Sequence, residues 1–247
     1  MDLLKIEGLT KHYDSFTLAN ISFNLPKGQI MGLIGKNGAG KSTTLKAMLN
    51  LVHPNAGKIE MFGEDFLSNE EANKQRMGIV LGGIDFYEQK RLSLITAVTK
   101  RFYPAWDDAA YEKYMTAFSL DQRKKVKDLS AGMKVKYMVA LALSHNAQLL
   151  VLDEPTSGLD PVSRDDLLEL FQQLVYSGER SILFSTHITS DLEKCADSIT
   201  YIKEGRLVAS APKQEFMKSF NYLKKPEEQV LSLEEIMIRT ERTNYHV

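Results

Sequence analysis

Between Leu3 and Leu9 apolar and polar residues alternate, and Phe16 to Leu25 repeats the pattern more loosely before a turn at Pro26, Lys27 and Gly28. A period of two buries one face of a strand and wets the other, so the start of the chain reads as a small β region. The pattern then changes. Ile30 to Ile34 and Leu149 to Leu152 are continuous apolar runs, as expected of parallel strands buried on both faces, and Gly78 to Leu81 and Ser181 to Phe184 read similarly. Lys58 to Phe62 is a further short strand after a turn at His53 to Gly57, and Ser198 to Ile202 and Arg206 to Ala209 are two more, joined at Glu204-Gly205. Helical character appears at Thr43 to Leu49, Asn69 to Arg76, Val162 to Tyr176 behind Asp160-Pro161, and Ser190 to Cys195.

From about Leu92 to Asn146 the chain reads mostly as helices, with Tyr111, Tyr114, Met115 and Phe118 at helical spacing and no convincing strand. A helical stretch between strand-bearing halves implies an α/β core with an inserted helical lobe. Beyond it, Lys213 to Lys225 reads as a basic helix broken by Pro226. Ser232 to Arg239 is a short amphipathic helix with Leu233, Ile236 and Met237 on one side, read as a packed tail.

Composition narrows the class. The chain has 247 residues and 43% hydrophobic content, enough for one domain with an inserted lobe. Its 31 basic and 32 acidic residues give a formal charge of −1, so there is no global electrostatic case for nucleic acid or an anionic membrane. Lys124, Lys125 and Lys127 read as a solvated face. The one cysteine, Cys195, cannot form an internal disulfide and sits in a helix-like neighbourhood, which favours a buried, inert thiol. No apolar run approaches the roughly 18 to 20 residues needed to cross a bilayer, and Met1 to Thr10 lacks a basic flank before an apolar stretch. In any membrane process, another polypeptide would have to supply the spanning helices.

The chemistry concentrates after Ile34. Gly35-Lys36-Asn37-Gly38-Ala39-Gly40-Lys41-Ser42 matches the phosphate-binding pattern G-x-x-x-x-G-K-[ST], between a strand and a helix as the mechanism requires. The glycines let the backbone curl so that successive N–H groups point inward, and the helix adds its positive dipole end. Gly35, Asn37, Gly38, Ala39, Gly40, Lys41, Ser42 and Thr43 are thus the candidate phosphate cradle. Lys41 is suited to the β- and γ-phosphates and Ser42 to Mg²⁺. Asp153 and Glu154 follow a buried strand, where α/β sheets present ligand-binding groups. Asp153 is a candidate metal ligand and Glu154 a candidate base for the attacking water. His187, at the end of another strand, could donate to a γ-phosphate, although a lone histidine is more often structural. Tyr13 could stack on a base or be an edge-strand tyrosine, and local pattern favours the second.

Taken together, these residues resemble the ATP-binding subunit of an ABC transporter, over Leu3 to about Phe216. The most specific element is Leu129-Ser130-Ala131-Gly132-Met133, similar to the family signature Leu-Ser-Gly-Gly-Gln and about twenty residues before Asp153. Ala131 and Met133 depart from it; Ser130 and Gly132, which the family uses to bind γ-phosphate across a dimer interface, are kept. The resemblance implies a P-loop NTPase (RecA-like) core of about 1–82 and 147–216, an inserted helical subdomain of about 84–146 and a tail of 217–247. It implies that Tyr13 stacks on adenine, that Asp153 and Glu154 are the magnesium and catalytic acids, that His187 is the switch histidine, and that Ser157-Gly158-Leu159-Asp160 is the loop crossing the dimer interface. Phe102 to Asp107 together with Leu-Ser-x-Gly-Met resembles the branch serving ABC-2-type bacterial exporters of peptides, antimicrobials or envelope-related cargo.

Gly82 departs from the pattern, because the family usually has glutamine there to contact Mg²⁺ and water; Gln89 falls out of register. A water or another residue is expected to replace the amide, with coupling set by the loop Gly82 to Arg91. With one P-loop, one signature and no internal repeat, the resemblance implies two chains enclosing two ATP·Mg²⁺, because the family sets the P-loop of one subunit against the signature of another. Each nucleotide is expected between Lys41, Ser42, Asp153 and His187 of one chain and Ser130 and Gly132 of an identical or related partner. The implied machine also has a transmembrane permease subunit, and the chain is expected in the cytoplasm, peripheral on the inner face of the membrane. The rival is a soluble ABC-type ATPase acting as a nucleotide-gated assembly factor.

Overall fold

The computed structural model describes residues 2–81, 87–226 and 228–242. The alternating start folds as an antiparallel pair, β1 (Asp2–His12) and β2 (Thr17–Pro26), whose inward face carries Leu4, Ile6, Leu9, Ile21, Phe23 and Leu25. β1 runs on to His12, past the Leu9 at which strict alternation ends. Register shifts on either side of Leu9 interrupt the two-residue period, so the pattern stops before the pairing does. β4 (Ala56–Met61) and β5 (Glu64–Asp65) extend this region on the far side of β1.

The continuous apolar runs became the parallel core: β3 (Ile30–Ile34), β6 (Met77–Leu81), β7 (Leu149–Asp153), β8 (Ser181–Thr186) and β9 (Ser198–Lys203), with β10 (Arg206–Pro212) antiparallel on β9. Among the described residues ten strands form one sheet, in the order β5-β4-β1-β2-β10-β9-β3-β8-β7-β6. The antiparallel and parallel parts join where Ala19 of β2 pairs with Arg206 of β10. Every residue of β3 and of β8 is buried, the state that an unbroken apolar run predicts.

Both faces of the core are covered. On one, α1 (Lys41–Met48) places Leu45 and Met48 against Leu4, Leu33 and Val151. On the other, α6 (Pro161–Val175), α7 (Thr189–Cys195) and α8 (Lys213–Ser219) bring Leu167, Phe171, Leu192 and Phe216 onto Ile182, Phe184 and Tyr201. Cys195 is buried there, and desolvation pushes its thiol up to about 12, so it stays protonated and unreactive at neutral pH.

The helical stretch has its own apolar cluster. After the short α2 (Glu70–Gln75), α3 (Leu92–Thr99), α4 (Asp108–Ala117) and α5 (Ala131–Ser144) enclose Leu92, Tyr111, Met115 and Tyr137. The hydroxyls of Tyr111 and Tyr137 both meet Thr96 Oγ1 at 2.9 Å, satisfying three buried polar groups at once.

The helix anticipated over Lys213 to Lys225 is shorter. α8 stops at Ser219 and a 3₁₀ turn, Asn221–Leu223, follows. Phe220 N–H reaches only to Met217 O, and the Ser219 hydroxyl takes Phe216 O, a local bond that competes with helix continuation. The last helix, α9 (Leu233–Arg242), buries Leu233 and Ile236 in the core, and Arg239 ties it to Glu228 and to Leu223 O.

Candidate functional site

Three segments far apart in sequence end at one level of the parallel sheet. Ile34, the last residue of β3, is paired with Thr186 of β8, and Asp153, the last of β7, with Ser185. The Gly35–Gly40 loop, the Asp153-Glu154 pair and His187 therefore emerge together at the carboxyl end of the strands, the edge where α/β sheets bind ligands.

The loop needs its glycines. A Cβ on Gly35 would lie 2.2 Å from the Ile202 carbonyl oxygen, and Gly40 has φ +113 with Leu18 and Phe16 about it at 3.0 and 3.1 Å. Gly40 leads into α1, whose first turn has neither a side-chain cap nor an acid, so its N–H groups and positive dipole end are left for an anion.

Lys41 is only 5% exposed, yet its ammonium faces the cleft. It donates to Gly35 O at 2.8 Å and to Lys36 O at 3.3 Å, folding the cation back over its own loop, and it stands 3.3 Å from Glu154 Oε1. Glu154 Oε2 lies 2.7 Å from His187 Nδ1. One carboxylate thus bridges the buried lysine and the exposed histidine. Glu154 takes a left-handed backbone, φ +51, uncommon for a residue with a side chain. Its N–H donates to Ser185 O at 3.1 Å and to Ser185 Oγ at 3.0 Å, while that hydroxyl donates to Asp153 Oδ1 at 2.5 Å. Ser185 so fixes both acids from the neighbouring strand.

These groups border a cleft of about 590 Å³. Of the residues picked out in the sequence, Asn37, Gly38, Gly40, Lys41, Ser42, Thr43, Glu154 and His187 line it; Gly35 and Ala39 are buried and shape the loop from beneath. Asp153 lies one residue back on β7, against Ser185. Tyr13 is half exposed and does not line the cleft; Phe16 does, and the two are linked by the Tyr13 N–H to Phe16 O bond of 2.8 Å. Phe16, Lys36 and Ser185 are marked by no motif, whereas Ser157, from the loop that the resemblance assigns to the dimer interface, lines this cleft. Lys36 occupies an unconstrained position of the phosphate pattern, and Phe16 and Ser185 take their roles from loop return and strand pairing. Gly82 lies outside the described residues. Gln89 is exposed and is not part of this cleft.

Ser130, Gly132 and Asp160 do not line the cleft either. Ser130 caps α5, its Oγ accepting from Met133 N–H at 3.2 Å. Gly132 lets α5 approach α6, with Ser163 Cβ 3.4 Å from where a Cβ would sit. Asp160 caps α6, accepting from the N–H groups of Val162 at 3.1 Å and Ser163 at 3.0 Å; hydrogen bonds from Ser163 and then Val162 hold its carboxyl below the usual aspartate range.

On the helical part, Tyr87, Leu94, Ile95, Val98, Phe102 and Tyr103 surround an apolar groove of about 480 Å³. Phe102 is 67% exposed there. Behind the groove, Tyr103 stacks on buried His145 with ring centroids 3.7 Å apart, and His145 Nδ1 donates to Gln75 O at 3.1 Å.

Known proteins resemble this chain in sequence and fold. The family profile described as ABC transporter matches residues 18–157. The bacitracin transport ATP-binding protein BcrA of Bacillus licheniformis is 33% identical over 226 residues, covering 90% of this chain and 72% of that protein. The Nod factor export ATP-binding protein I of Burkholderia lata is 36% identical over 213 residues, covering 83% and 69%. A solved ATP-binding subunit of an ABC transporter superposes with a TM-score of 0.83 at 27% identity, over 97% of this chain and 99% of that one.

Proposed function

The chain belongs to the ABC transporter family as an ATP-binding subunit, and from that premise we propose that it drives a bacterial exporter by closing on ATP against a second ATPase subunit. Its work is to bind ATP, hydrolyse it and couple both to transport. The observation that carries the catalytic reading is the bridge from Lys41 through Glu154 to His187 at the mouth of the phosphate loop. ATP enters with its phosphates on the N–H groups of the loop and of α1. Lys41 and His187 both carry donors able to turn from Glu154 to a γ-phosphate, and the carboxylate so released is left to orient and deprotonate the attacking water. Ser185 holds the Glu154 backbone, from which that carboxylate projects, while the carboxylate's partners change.

The donor set fits a magnesium ion. Ser42 and Asp153 offer the hard oxygens that magnesium prefers, and phosphates and water would complete its shell. Magnesium would supply charge neutralisation at the β- and γ-phosphates. Phe16 borders the cleft beside Tyr13, and the pair is the proposed platform for the adenine ring.

Ser130 and Gly132 stand away from the cleft of their own chain, so their proposed role is to meet the γ-phosphate bound by the loop of a partner, an identical chain or a related ATPase. Asp160 and its loop would then lie at the seam. Among the described residues no helix is long and apolar enough to cross a membrane. A transmembrane permease subunit is the proposed second partner, docked on the apolar groove of Tyr87 to Tyr103 from the cytoplasmic side. The proposed cargo is a peptide, an antimicrobial or an envelope-related molecule; the relatives are named for bacitracin transport and Nod factor export.

The test is affinity purification from membranes together with phosphate release. The reading requires co-purification of a multi-spanning protein and ATP turnover abolished in Glu154→Gln. Full recovery with soluble partners alone would contradict it.

A further inference from the structure

The last turn of the chain's final helix reaches back to the phosphate loop. Glu241, on α9, is 8% exposed. Its Oε1 accepts from the hydroxyl of fully buried Tyr201 at 2.8 Å, and its Oε2 lies 3.2 Å from Lys36 Nζ. One residue earlier, Thr240 O accepts from Lys203 Nζ at 2.9 Å. Both anchors are close to the loop: Tyr201 on β9 pairs with Ile34, the residue before Gly35, and Lys36 is the loop's second residue. Lys36 also lines the cleft, and its carbonyl is one of the two that hold the Lys41 ammonium.

A buried carboxylate needs polar partners, and Glu241 has a phenol on one side and an ammonium on the other. The phenol stays a donor to it: burial, and then Glu241 itself, hold Tyr201 well above the usual tyrosine range. The ammonium is different. The Lys36 side chain is 56% exposed and stands at the rim of a cleft built for phosphates, where a polyanion competes for it.

We propose that Glu241 is a positioning residue for the nucleotide site, acting through Lys36: it withholds that lysine from the phosphates of ATP and sets the loop's affinity, so that nucleotide binding is coupled to the seating of α9. This rests on the phosphate-loop reading of the cleft and adds to it a second cation and a counter-ion from the other end of the chain. Removing the carboxylate's charge leaves one more uncompensated positive charge beside the bound phosphates, which favours ATP and does so more at low salt.

The experiment is an equilibrium titration of the full chain with a fluorescent ATP analogue, at low and at moderate ionic strength. It uses the wild type, Glu241→Gln, Lys36→Met and the double variant, each with its thermal midpoint. Gln retains an oxygen to accept from Tyr201, so the fold is preserved and the thermal midpoint reports it. The expected result is that Glu241→Gln tightens Kd by about three- to tenfold at low salt, with the gain shrinking as salt rises, and has no effect on the Lys36→Met background. An unchanged Kd in Glu241→Gln overturns the proposal, as does a change that persists without Lys36. A wild type that binds the analogue while the variants all match it defeats this inference alone; a wild type that does not bind at all defeats the phosphate-loop reading with it.

Discussion

Two regions of this chain carry phosphate-binding sequence patterns, and the fold treats them differently. The loop from Gly35 to Ser42 is backed by β9, covered by Phe16 and linked by Lys41 to Glu154 and His187, so its polar groups converge on one cleft. The stretch from Leu129 to Met133 turns Ser130 onto the first turn of its own helix, and it lines no part of that cleft. The first region is organised by the chain that contains it. The second is complete as a helix cap and incomplete as a site, which is the arrangement expected when the ligand of each half is delivered by another subunit.

The contrast breaks most sharply at Lys41. Its ammonium is the buried cation of the cleft, so Lys41→Ala is expected to weaken ATP binding by about a hundredfold and to stop turnover, read by titration and phosphate release. Glu154→Gln separates binding from chemistry: affinity should stay within a few-fold of wild type while hydrolysis falls by about 10²- to 10⁴-fold, the usual worth of a general base.

Ser130 sharpens the other side. Ser130→Ala removes a cap worth about 1 kcal/mol, which lowers the thermal midpoint by a few degrees, and it should cut hydrolysis while leaving the single chain's ATP affinity within about twofold. Ser130→Asp keeps an oxygen for Met133 N–H and sets a negative charge against the partner's phosphate. It is expected to restore the midpoint and to suppress hydrolysis further. Equal loss of affinity in Ser130→Asp and Lys41→Ala would erase the distinction between the two regions.

The smallest effect is at the opposite end of α5, where His145 seats the helical part against Gln75. Burial pulls its imidazole below the ordinary value of 6.5, so the folded chain holds it neutral while the unfolded chain takes up a proton. Its contribution is present above pH 6.5 and lost as pH falls below it. In chemical unfolding, His145→Gln should cost stability at pH 8 and progressively less as the pH falls below 6.5, which flattens the acid-side loss.

Much of the site was legible because it is local. The glycine loop, Lys41, Ser42 and the Asp153-Glu154 pair are each set within a few residues of a strand end, and an unbroken apolar run marks such strands. The aromatic was half legible: the sequence pointed to Tyr13, while Phe16, joined to it by the Tyr13 N–H to Phe16 O bond, lines the cleft. Ser185 was hidden because it acts across a strand pair, reaching Asp153 and Glu154 some thirty residues away. The link from Glu241 to Lys36 spans nearly the whole chain, and no period or spacing in the sequence could announce it. Helix ends erred where side chains compete with the backbone, as Ser219 does in cutting α8 short of Lys225.

The claim that the two regions complete one another between subunits is tested most directly by mixing two inactive chains, Lys41→Ala and Ser130→Asp, and measuring phosphate release alongside active wild type. If identical subunits pair head to tail, half the dimers in an equal mixture contain one intact composite site, and the mixture should recover about a quarter of wild-type turnover per chain. A mixture as silent as its two parents, beside a wild type that turns ATP over, would contradict the account.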